Sequence, residues 1–255
     1  MRLPLLLSVA PVLLTVSGTW AGAMRVEPPK FVAVAPGIEH AIFDVRPAGD
    51  AEPFSGHVFR VDLDVADLRL VPAGSPSSRR RVEQIAAPYR DAVAVNASFF
   101  DADGRAMGLV VNQGRAISTS KRRSWGAFVI DRKKARIMLG ADVEDPLAYG
   151  LVVQGLPRLV VGRNVPQLKP QIAERTAVCA EGNVVVLVVS TKVETAVFAR
   201  FLADPRETGG LGCRDALNLD GGPSTQLVVK LPALALSLPG GWDVPNALVA
   251  TPGRR

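Results

Sequence analysis

Short alternating and apolar runs follow one another along most of the chain, with turn residues between them. Alternation of apolar and polar positions is typical of a half-buried strand, and a short continuous apolar run is typical of a strand buried on both faces. By these criteria the sequence predicts strands at 40–46, 57–64, 67–71, 91–97, 107–111, 125–131, 135–139, 151–153, 158–161, 176–180, 184–189, 215–220 and 226–231. A chain with this many short strands is expected to fold as sheets.

Two segments carry a helical pattern instead, a short one over 82–89 and a longer one over 193–203. Thr191 and Glu194 have the spacing of a capping box, so the longer helix is expected to start at Thr191. The predicted fold class is α+β, a single strand-rich domain with mixed, mostly antiparallel sheets covered by a few helices. This domain is placed at 40–255, after a loose, Pro-rich lead-in over 24–39.

The first 23 residues have the organisation of a secretory signal peptide. Arg2 supplies the positive start, an apolar run covers 3–16, and Ala21-Gly22-Ala23 form a cleavage site of small residues. The run is short for a spanning helix, and no later run is long enough, so no membrane span is expected after cleavage. An uncleaved anchor is the alternative. We therefore expect a secreted or periplasmic protein, of unknown oligomeric state.

Composition narrows the class of function. The chain of 255 residues has a formal net charge of +6 and 48% hydrophobic residues, which excludes a disordered polar tract. Two His and two Cys exclude a zinc finger and a His-cluster metal site. An aromatic content of 5% argues against nucleic-acid binding, which uses aromatic platforms. Basic clusters at 79–81, 121–123 and 132–134 are interpreted as solvated turns, with attraction to an anionic substrate as the alternative.

Export changes the interpretation of Cys179 and Cys213. A lone pair of cysteines in an oxidising compartment can form a lasting disulfide. Closing a loop of this length would stabilise the fold by about 3–4 kcal/mol through the lost entropy of the unfolded chain. We predict this disulfide, with two buried free thiols as the alternative.

Polar residues collect at the ends of two apolar strands, in the segments 96–101 and 216–225. Along the second strand Asn218 and Asp220 face one side and two leucines face the other. Glycines after the strand allow backbone N–H groups to approach a ligand, and hydroxyl groups follow them. The candidate residues of this segment are Asn218, Asp220, Gly221, Gly222, Ser224 and Thr225. A ligand site and an ordinary Asp-Gly turn explain the pattern equally well.

Three sequence blocks, in order, resemble the phosphodiester glycosidase (NAGPA) family, which includes the lysosomal uncovering enzyme. The blocks are Asn96…Phe99-Phe100-Asp101 with Gly108-Leu109 and Gly114, Arg175-Thr176-Ala177-Val178, and Asn218-Leu219-Asp220-Gly221-Gly222 with Ser224. The resemblance covers about residues 55–250, and the stretch 197–220 is similar to a bacterial exported subgroup. Three departures stand out: Ala97-Ser98 replaces the usual Gly-Gly, Cys179 replaces a common Gly, and Pro223 replaces the third glycine.

The resemblance implies hydrolysis of the bond between a sugar C1 and a phosphodiester oxygen, for instance N-acetylglucosamine-1-phosphodiester. The leaving group is a phosphate monoester with a second pKa of about 6, which needs cations and N–H donors more than a strong acid. Asp220 is then the first catalytic candidate and Asp101 the second. Arg175 is the candidate phosphate clamp, assisted by the amides of Gly221 and Gly222. The other substrate-binding candidates are Asn96, Thr176, Asn218, Ser224 and Thr225.

The expected function is thus that of an exported glycan hydrolase acting on a phosphorylated glycan, in envelope or exopolysaccharide metabolism. A non-catalytic glycan-binding module on the same fold and a structural envelope protein are the alternatives. No cofactor is assigned. The stretch Asp101-Ala102-Asp103-Gly104 carries oxygen ligands that suit Ca²⁺ but lacks the Glu that closes an EF-type loop, so calcium is left open.

Overall fold

Three sheets form the body of the protein in a computed structural model that describes residues 25–253 except 48 and 50. Within these residues there are eighteen strands and two short α-helices, α1 (Val82–Ile85) and α2 (Thr195–Ala203). Four 3₁₀ turns cover Gly140–Asp142, Pro146–Ala148, Arg206–Thr208 and Gly222–Ser224. The predicted class is confirmed: a strand-rich α+β domain with mostly antiparallel sheets and few helices. The predicted signal peptide lies outside the described residues.

The first sheet has eight strands and carries most of the candidate site. Its strands are β1 (Arg25–Val26), β2 (Val32–Ala35), β3 (Ile38–Arg46), β4 (Phe54–Asp62), β12 (Arg158–Val160), β13 (Ile172–Glu181), β14 (Val184–Glu194) and β15 (Ala216–Asn218). Their order is β1-β3-β4-β14-β13-β15-β12, with β2 paired to β3.

Two five-stranded sheets complete the fold. The second sheet, in the order β10-β9-β11-β7-β8, contains β7 (Leu109–Asn112), β8 (Arg115–Thr119), β9 (Gly126–Asp131), β10 (Lys134–Leu139) and β11 (Leu151–Gly155). The third, in the order β17-β16-β6-β18-β5, contains β5 (Asp67–Pro72), β6 (Ala92–Asn96), β16 (Leu227–Leu231), β17 (Leu234–Leu238) and β18 (Asn246–Thr251).

Both faces of the first sheet are buried, because side chains alternate between two cores along each strand. Phe59 of β4 and Leu187 of β14 are paired and belong to a core shared with the second and third sheets. The preceding position of β4, Val58, belongs to a core on the opposite face, which α2 covers with Phe198 and Phe201. This two-sided burial explains why 184–189 is continuously apolar.

The start of α2 differs from the prediction. The helix begins at Thr195, and the Glu194 carboxylate accepts hydrogen bonds from the backbone amides of Ala196 and Val197, at 2.8 and 3.0 Å. Thr191 still lies within β14, where its hydroxyl accepts a hydrogen bond from the amide of Ser55. The predicted capping box at Thr191 is wrong, because pairing with β13 extends the strand through Glu194.

The lead-in predicted as loose is largely strand. Residues 25–39 contain β1, β2 and the first residues of β3, and both short strands pair with β3. Val32 and Ala33 are exposed, and Val34 and Ala35 are only partly buried. The segment therefore lacks the alternation of buried and exposed positions that marks the core strands. Its order comes from backbone pairing at the sheet edge, a long-range contact that local composition does not reveal.

The predicted disulfide between Cys179 and Cys213 is present. It joins β13 to the segment between α2 and β15, with a Cα–Cα distance of 5.9 Å. Both cysteines are buried in the core beneath α2. The bond therefore links the strand that carries Arg175 to the chain that leads into Asp220.

Candidate active site

Asp220 lies where the chain leaves the first sheet and reaches the end of the third. Asn218 of β15 pairs with Ala177 of β13, and two residues later the amide of Asp220 donates to the carbonyl of Ala97, at 3.0 Å. Ala97 follows directly after β6. Leu217 and Leu219 enter the central core, whereas Asn218 and Asp220 point to the opposite face. The predicted facing of this strand is therefore reproduced.

Asn96 holds the junction together from behind. Its side-chain amide donates to the backbone carbonyl of Asp220 at 2.6 Å. Its carbonyl oxygen accepts from the Thr176 hydroxyl at 2.7 Å and from the Gln226 amide at 3.1 Å. Both Asn96 and Thr176 are fully buried and lie outside the lining of the cleft described next. Their side chains connect strands beneath Asp220, so they position the site.

A cleft of about 850 Å³ opens on the α2 side of this junction. Sites that take small ligands have volumes of this order. Its polar wall is formed by Arg175, Thr195, Asn218, Asp220, Gly221 and Gly222. Its other walls are formed by Phe99, Leu156, Pro157, Gln167, Leu168, Lys169, Pro170, Gln171, Ala173 and Pro223. Five residues predicted from the sequence as site residues thus line one cleft.

The Asp220 carboxyl has unusual electrostatics. Burial raises the pKa of Asp220 from its usual value of 3.8 to about 6. The Gly221 amide, which donates to Oδ1 at 2.9 Å, acts in the opposite direction. The Ser224 hydroxyl is close enough to lower this pKa too, although its geometry falls short of a hydrogen bond. A carboxyl that titrates near neutrality in a cleft is a candidate for acid–base or nucleophilic chemistry.

Arg175 is more deeply engaged with the protein than a free phosphate clamp would be. Its guanidinium donates from Nη2 to the Gln171 carbonyl and to the Thr195 hydroxyl, the latter at 2.8 Å. The Thr195 amide and hydroxyl donate to the same Gln171 carbonyl, at 3.1 Å each. Burial lowers the pKa of Arg175, and the Glu194 carboxylate opposes this shift. Arg175 therefore contributes positive charge to the cleft and also anchors the segment 167–171 that forms one wall.

The turn after Asp220 needs its glycines. Gly222 has a φ of +58°, in the left-handed region that favours glycine. A Cβ on Gly221 would lie 2.8 Å from the Glu174 carbonyl oxygen, so a side chain there would clash with β13. The turn ends with backbone hydrogen bonds from Ser224 and Thr225 to the two glycine carbonyls. Pro223 lines the cleft and is exposed.

Polar atoms without partners concentrate around this junction. Within the described part of the chain, six buried side-chain atoms lack a hydrogen bond, and four belong to Arg175, Asn218, Ser224 and Thr225. A fifth belongs to Ser190, which pairs with Arg175 across the strands. Asn218 uses both amide hydrogens on the carbonyls of Leu156 and Leu219, which leaves Oδ1 unpartnered. Buried polar atoms are normally satisfied, so their clustering here marks a site built to contact something else.

Asp101 lies apart from the cleft lining. Its carboxylate accepts from the Arg105 amide at 2.9 Å and closes a local turn. The Asp103 carboxylate pairs with the Arg105 guanidinium at 2.7 Å, which occupies the second oxygen ligand considered for calcium. Among the residues that the structure describes, no three His, Cys, Asp or Glu side chains group as a metal site would require.

Sequence reasoning missed the wall formed by 167–171 and by Leu156-Pro157. These residues are distant from Asp220 in sequence. They lie near it because β12 pairs with β15 and because the Arg175 side chain donates to the Gln171 carbonyl. The one local signal is the pair of prolines at 166 and 170, which indicates a loop without showing what the loop covers.

In the described part of the chain, none of the helices has the length and apolar character needed to cross a membrane. No curated protein matches the chain in sequence.

Solved structures share the fold at low sequence identity. The catalytic domain of zebrafish N-acetylglucosamine-1-phosphodiester alpha-N-acetylglucosaminidase (NAGPA), auto-inhibited by its pro-peptide, matches with a TM-score of 0.64 and 19% identity, over 91% of this chain and 89% of that one. A hypothetical protein from Synechocystis matches with a TM-score of 0.63 and 17% identity, over 88% of this chain and 64% of that one. A candidate exported protein of Burkholderia pseudomallei K96243 matches with a TM-score of 0.62 and 13% identity, over 91% and 97%.

The family is shown by sequence as well as by fold. The sequence model described as phosphodiester glycosidase (NAGPA) matches residues 89–251, which include β6, β13, β15 and the turn after Asp220. The sequence resemblance to this family is thereby confirmed. Of the residues that carry it, Arg175 and Asp220 line the cleft, and Asn96 supports Asp220 from behind. The chain belongs to the phosphodiester glycosidase (NAGPA) family.

Proposed function

We propose that this protein hydrolyses the bond between a sugar C1 and a phosphodiester oxygen, and that Asp220 is the catalytic carboxylate. The observation that carries the proposal is the position of Asp220, partly buried in the cleft with its pKa raised to about 6. The zebrafish relative is by name an N-acetylglucosamine-1-phosphodiester alpha-N-acetylglucosaminidase, which is an enzyme for the same class of bond. The family supports a glycosidase, and the cleft brings together a carboxyl, a guanidinium and backbone amides that would serve this reaction.

The residues divide between the two halves of such a substrate. As a carboxylate, Asp220 would stabilise or attack the positive charge that develops at the sugar C1. Arg175 and the Gly222 amide would attract the phosphate monoester that leaves, since the Gly221 amide already donates to Asp220 Oδ1. Because that group departs as an anion near neutral pH, no strongly acidic partner is needed on the leaving side. Asn218 Oδ1, which has no hydrogen-bond partner among the described residues, would accept a hydrogen bond from the substrate.

The test is the release of free sugar from an α-N-acetylglucosamine-1-phosphodiester by the purified protein and by Asp220→Asn. We expect wild-type release and at least a hundredfold loss of rate in the variant, because the amide cannot carry the negative charge. Asp101→Asn is the matched carboxyl-to-amide control, since Asp101 lies outside the cleft lining. Equal release by wild type and Asp220→Asn would contradict the assignment, and loss in Asp101→Asn would bring Asp101 into the site.

A binding measurement on the same two proteins separates catalysis from binding. If neither wild type nor Asp220→Asn releases sugar while both bind the phosphodiester, the protein is a glycan-binding module on a glycosidase fold. Pro223, which replaces the third glycine and removes one backbone N–H from the turn, is the departure from the family pattern that bears on this outcome.

We also propose that the protein acts outside the cytoplasm on a glycan of the envelope or an exopolysaccharide. The signal-peptide pattern of 1–23 supports export, as does the Cys179–Cys213 disulfide, since such bonds persist in oxidising compartments. The similarity in fold to a candidate exported protein of Burkholderia agrees with this. Detection of the mature protein in a periplasmic or secreted fraction, cleaved after Ala23, tests it.

A further inference from the structure

An exposed tryptophan lies in a loop next to the cleft, and several hydrogen bonds hold this loop in place. Trp242 is 57% exposed, a large apolar area to leave in water. Its amide and that of Gly241 both donate to the carbonyl of Pro223, at 3.0 and 2.7 Å. Pro223 lines the cleft three residues after Asp220. Three residues span at most about 11 Å, so the loop lies at the rim of the candidate active site.

The loop, residues 239–243, is anchored by the side chains of Arg81 and Gln226. The Arg81 guanidinium donates to the carbonyls of residues 239, 240 and 241 at 3.1–3.2 Å and pairs with Asp243 at 3.0 Å. Gly240 has a φ of +61°, and a Cβ there would lie 2.6 Å from the Thr225 carbonyl oxygen. The side-chain amide of Gln226 donates to the Trp242 carbonyl at 2.8 Å, and the backbone amide of the same residue donates to Asn96 Oδ1. The same framework therefore positions Trp242 and Asp220.

The indole ring itself is oriented by an aromatic neighbour. Phe100 meets Trp242 edge to face, with ring centroids 6.5 Å apart, and the Arg79 guanidinium lies over the Phe100 ring at 5.5 Å. Such contacts order the indole, which stays 57% exposed. Arg79 and Arg80 are exposed next to it and place positive charge at this rim. The loop thus presents a flat apolar surface in a positively charged setting.

We propose that Trp242 is a stacking platform for a pyranose ring on the acceptor side of the substrate, beyond the phosphodiester. A pyranose has an apolar C–H face that suits an exposed indole, and hydroxyl groups at its edge. The half-exposed ion pair between Arg81 and Asp243, the residue after Trp242, offers a donor and an acceptor for such hydroxyls. Arg79 and Arg80 attract the phosphates of the glycan chain. This inference rests on the proposed function for the direction in which the glycan runs.

The test compares two substrates that share the sugar and differ in the acceptor. One is the methyl phosphodiester of α-N-acetylglucosamine-1-phosphate, and the other carries maltotriose in place of methyl. The kcat/KM preference for the maltotriose substrate should fall five- to tenfold in Trp242→Ala and less in Trp242→Phe, in line with the usual contribution of an aromatic contact. Leu147→Ala is the control, because Leu147 is similarly exposed, at 51%, in the 3₁₀ turn Pro146–Ala148, outside the cleft lining.

Binding to the Asp220→Asn protein, measured by calorimetry, gives a readout that does not need turnover. Weaker binding of the maltotriose phosphodiester on adding Trp242→Ala supports the platform, even if no protein hydrolyses either substrate and the proposed function fails. Turnover with an acceptor preference that Trp242→Ala leaves unchanged would keep the proposed function and overturn the platform. Tighter Trp242-dependent binding of adenosine monophosphate than of the maltotriose compound would also overturn it, in favour of a nucleobase.

Discussion

Asp220 shows at the scale of one residue how the fold changes the chemistry of a side chain. The sequence places an Asp at the end of an apolar strand, where an ordinary turn was an equal explanation. The structure buries the carboxyl beside a glycine turn, so that the charged form loses hydration and the pKa rises to about 6. Asn96, fully buried behind it, binds the Asp220 carbonyl and so holds the residue that carries the charge.

The raised pKa predicts a pH dependence of activity. If Asp220 acts as a carboxylate, kcat/KM should rise with pH as the carboxyl loses its proton, with a midpoint near 6, and level off above pH 7. A pH–rate profile from 4.5 to 8 with the methyl phosphodiester checks this, and the Asp101→Asn variant should keep the same midpoint. A rate that falls between pH 5 and 7 would show that the protonated form is active and would reverse the role assigned to Asp220.

At the scale of the element, the strands were predictable because burial on a sheet face imposes a period of two on the sequence. Most of the predicted strands are present, and the order of apolar and polar positions in β15 predicted which side chains face the cleft. Features that depend on pairing with distant segments were missed: the edge strands in 25–39, the wall at 167–171, and the true start of α2. Local sequence does not show how far a strand extends, because its length is decided by pairing with strands that are distant in sequence.

The cap of α2 is a prediction at this scale. Glu194→Ala should lower the free energy of unfolding by about 1 kcal/mol, because two amides of the first turn lose their acceptor. Thr191→Ala, at the position that the sequence favoured, should cost less than about 0.5 kcal/mol, since that residue is exposed and, in the described part of the chain, its hydroxyl hydrogen-bonds only with Ser55. Urea unfolding of both variants decides between the two caps, and the opposite order of stabilities would restore Thr191.

The whole molecule brings three sheets together so that strands distant in sequence share one junction. Asn96 of β6, Arg175 of β13 and Asp220 after β15 come from segments separated by tens of residues. Backbone pairing within their own sheets positions Asn96 and Arg175, whereas Asp220 is positioned by the hydrogen bond from its amide to the Ala97 carbonyl. The family blocks in the sequence identified these residues, but only the sheet order explains why they meet. The site therefore depends on how firmly β13 and β15 are held against each other.

The Cys179–Cys213 disulfide is the covalent part of that attachment, and its loss is the last prediction. Opening a ring with a sequence separation of 34 should lower the free energy of unfolding by about 3–4 kcal/mol, because the unfolded chain regains its freedom. The double variant Cys179→Ala/Cys213→Ala should therefore unfold at lower urea concentration than the oxidised wild type, and the reduced wild type should follow it. Since β13 carries Arg175 and β15 leads to Asp220, sugar release by the variant should also fail at a lower temperature. A reduced protein as stable as the oxidised one would mean that strand pairing alone holds the junction, and that the bond serves another purpose.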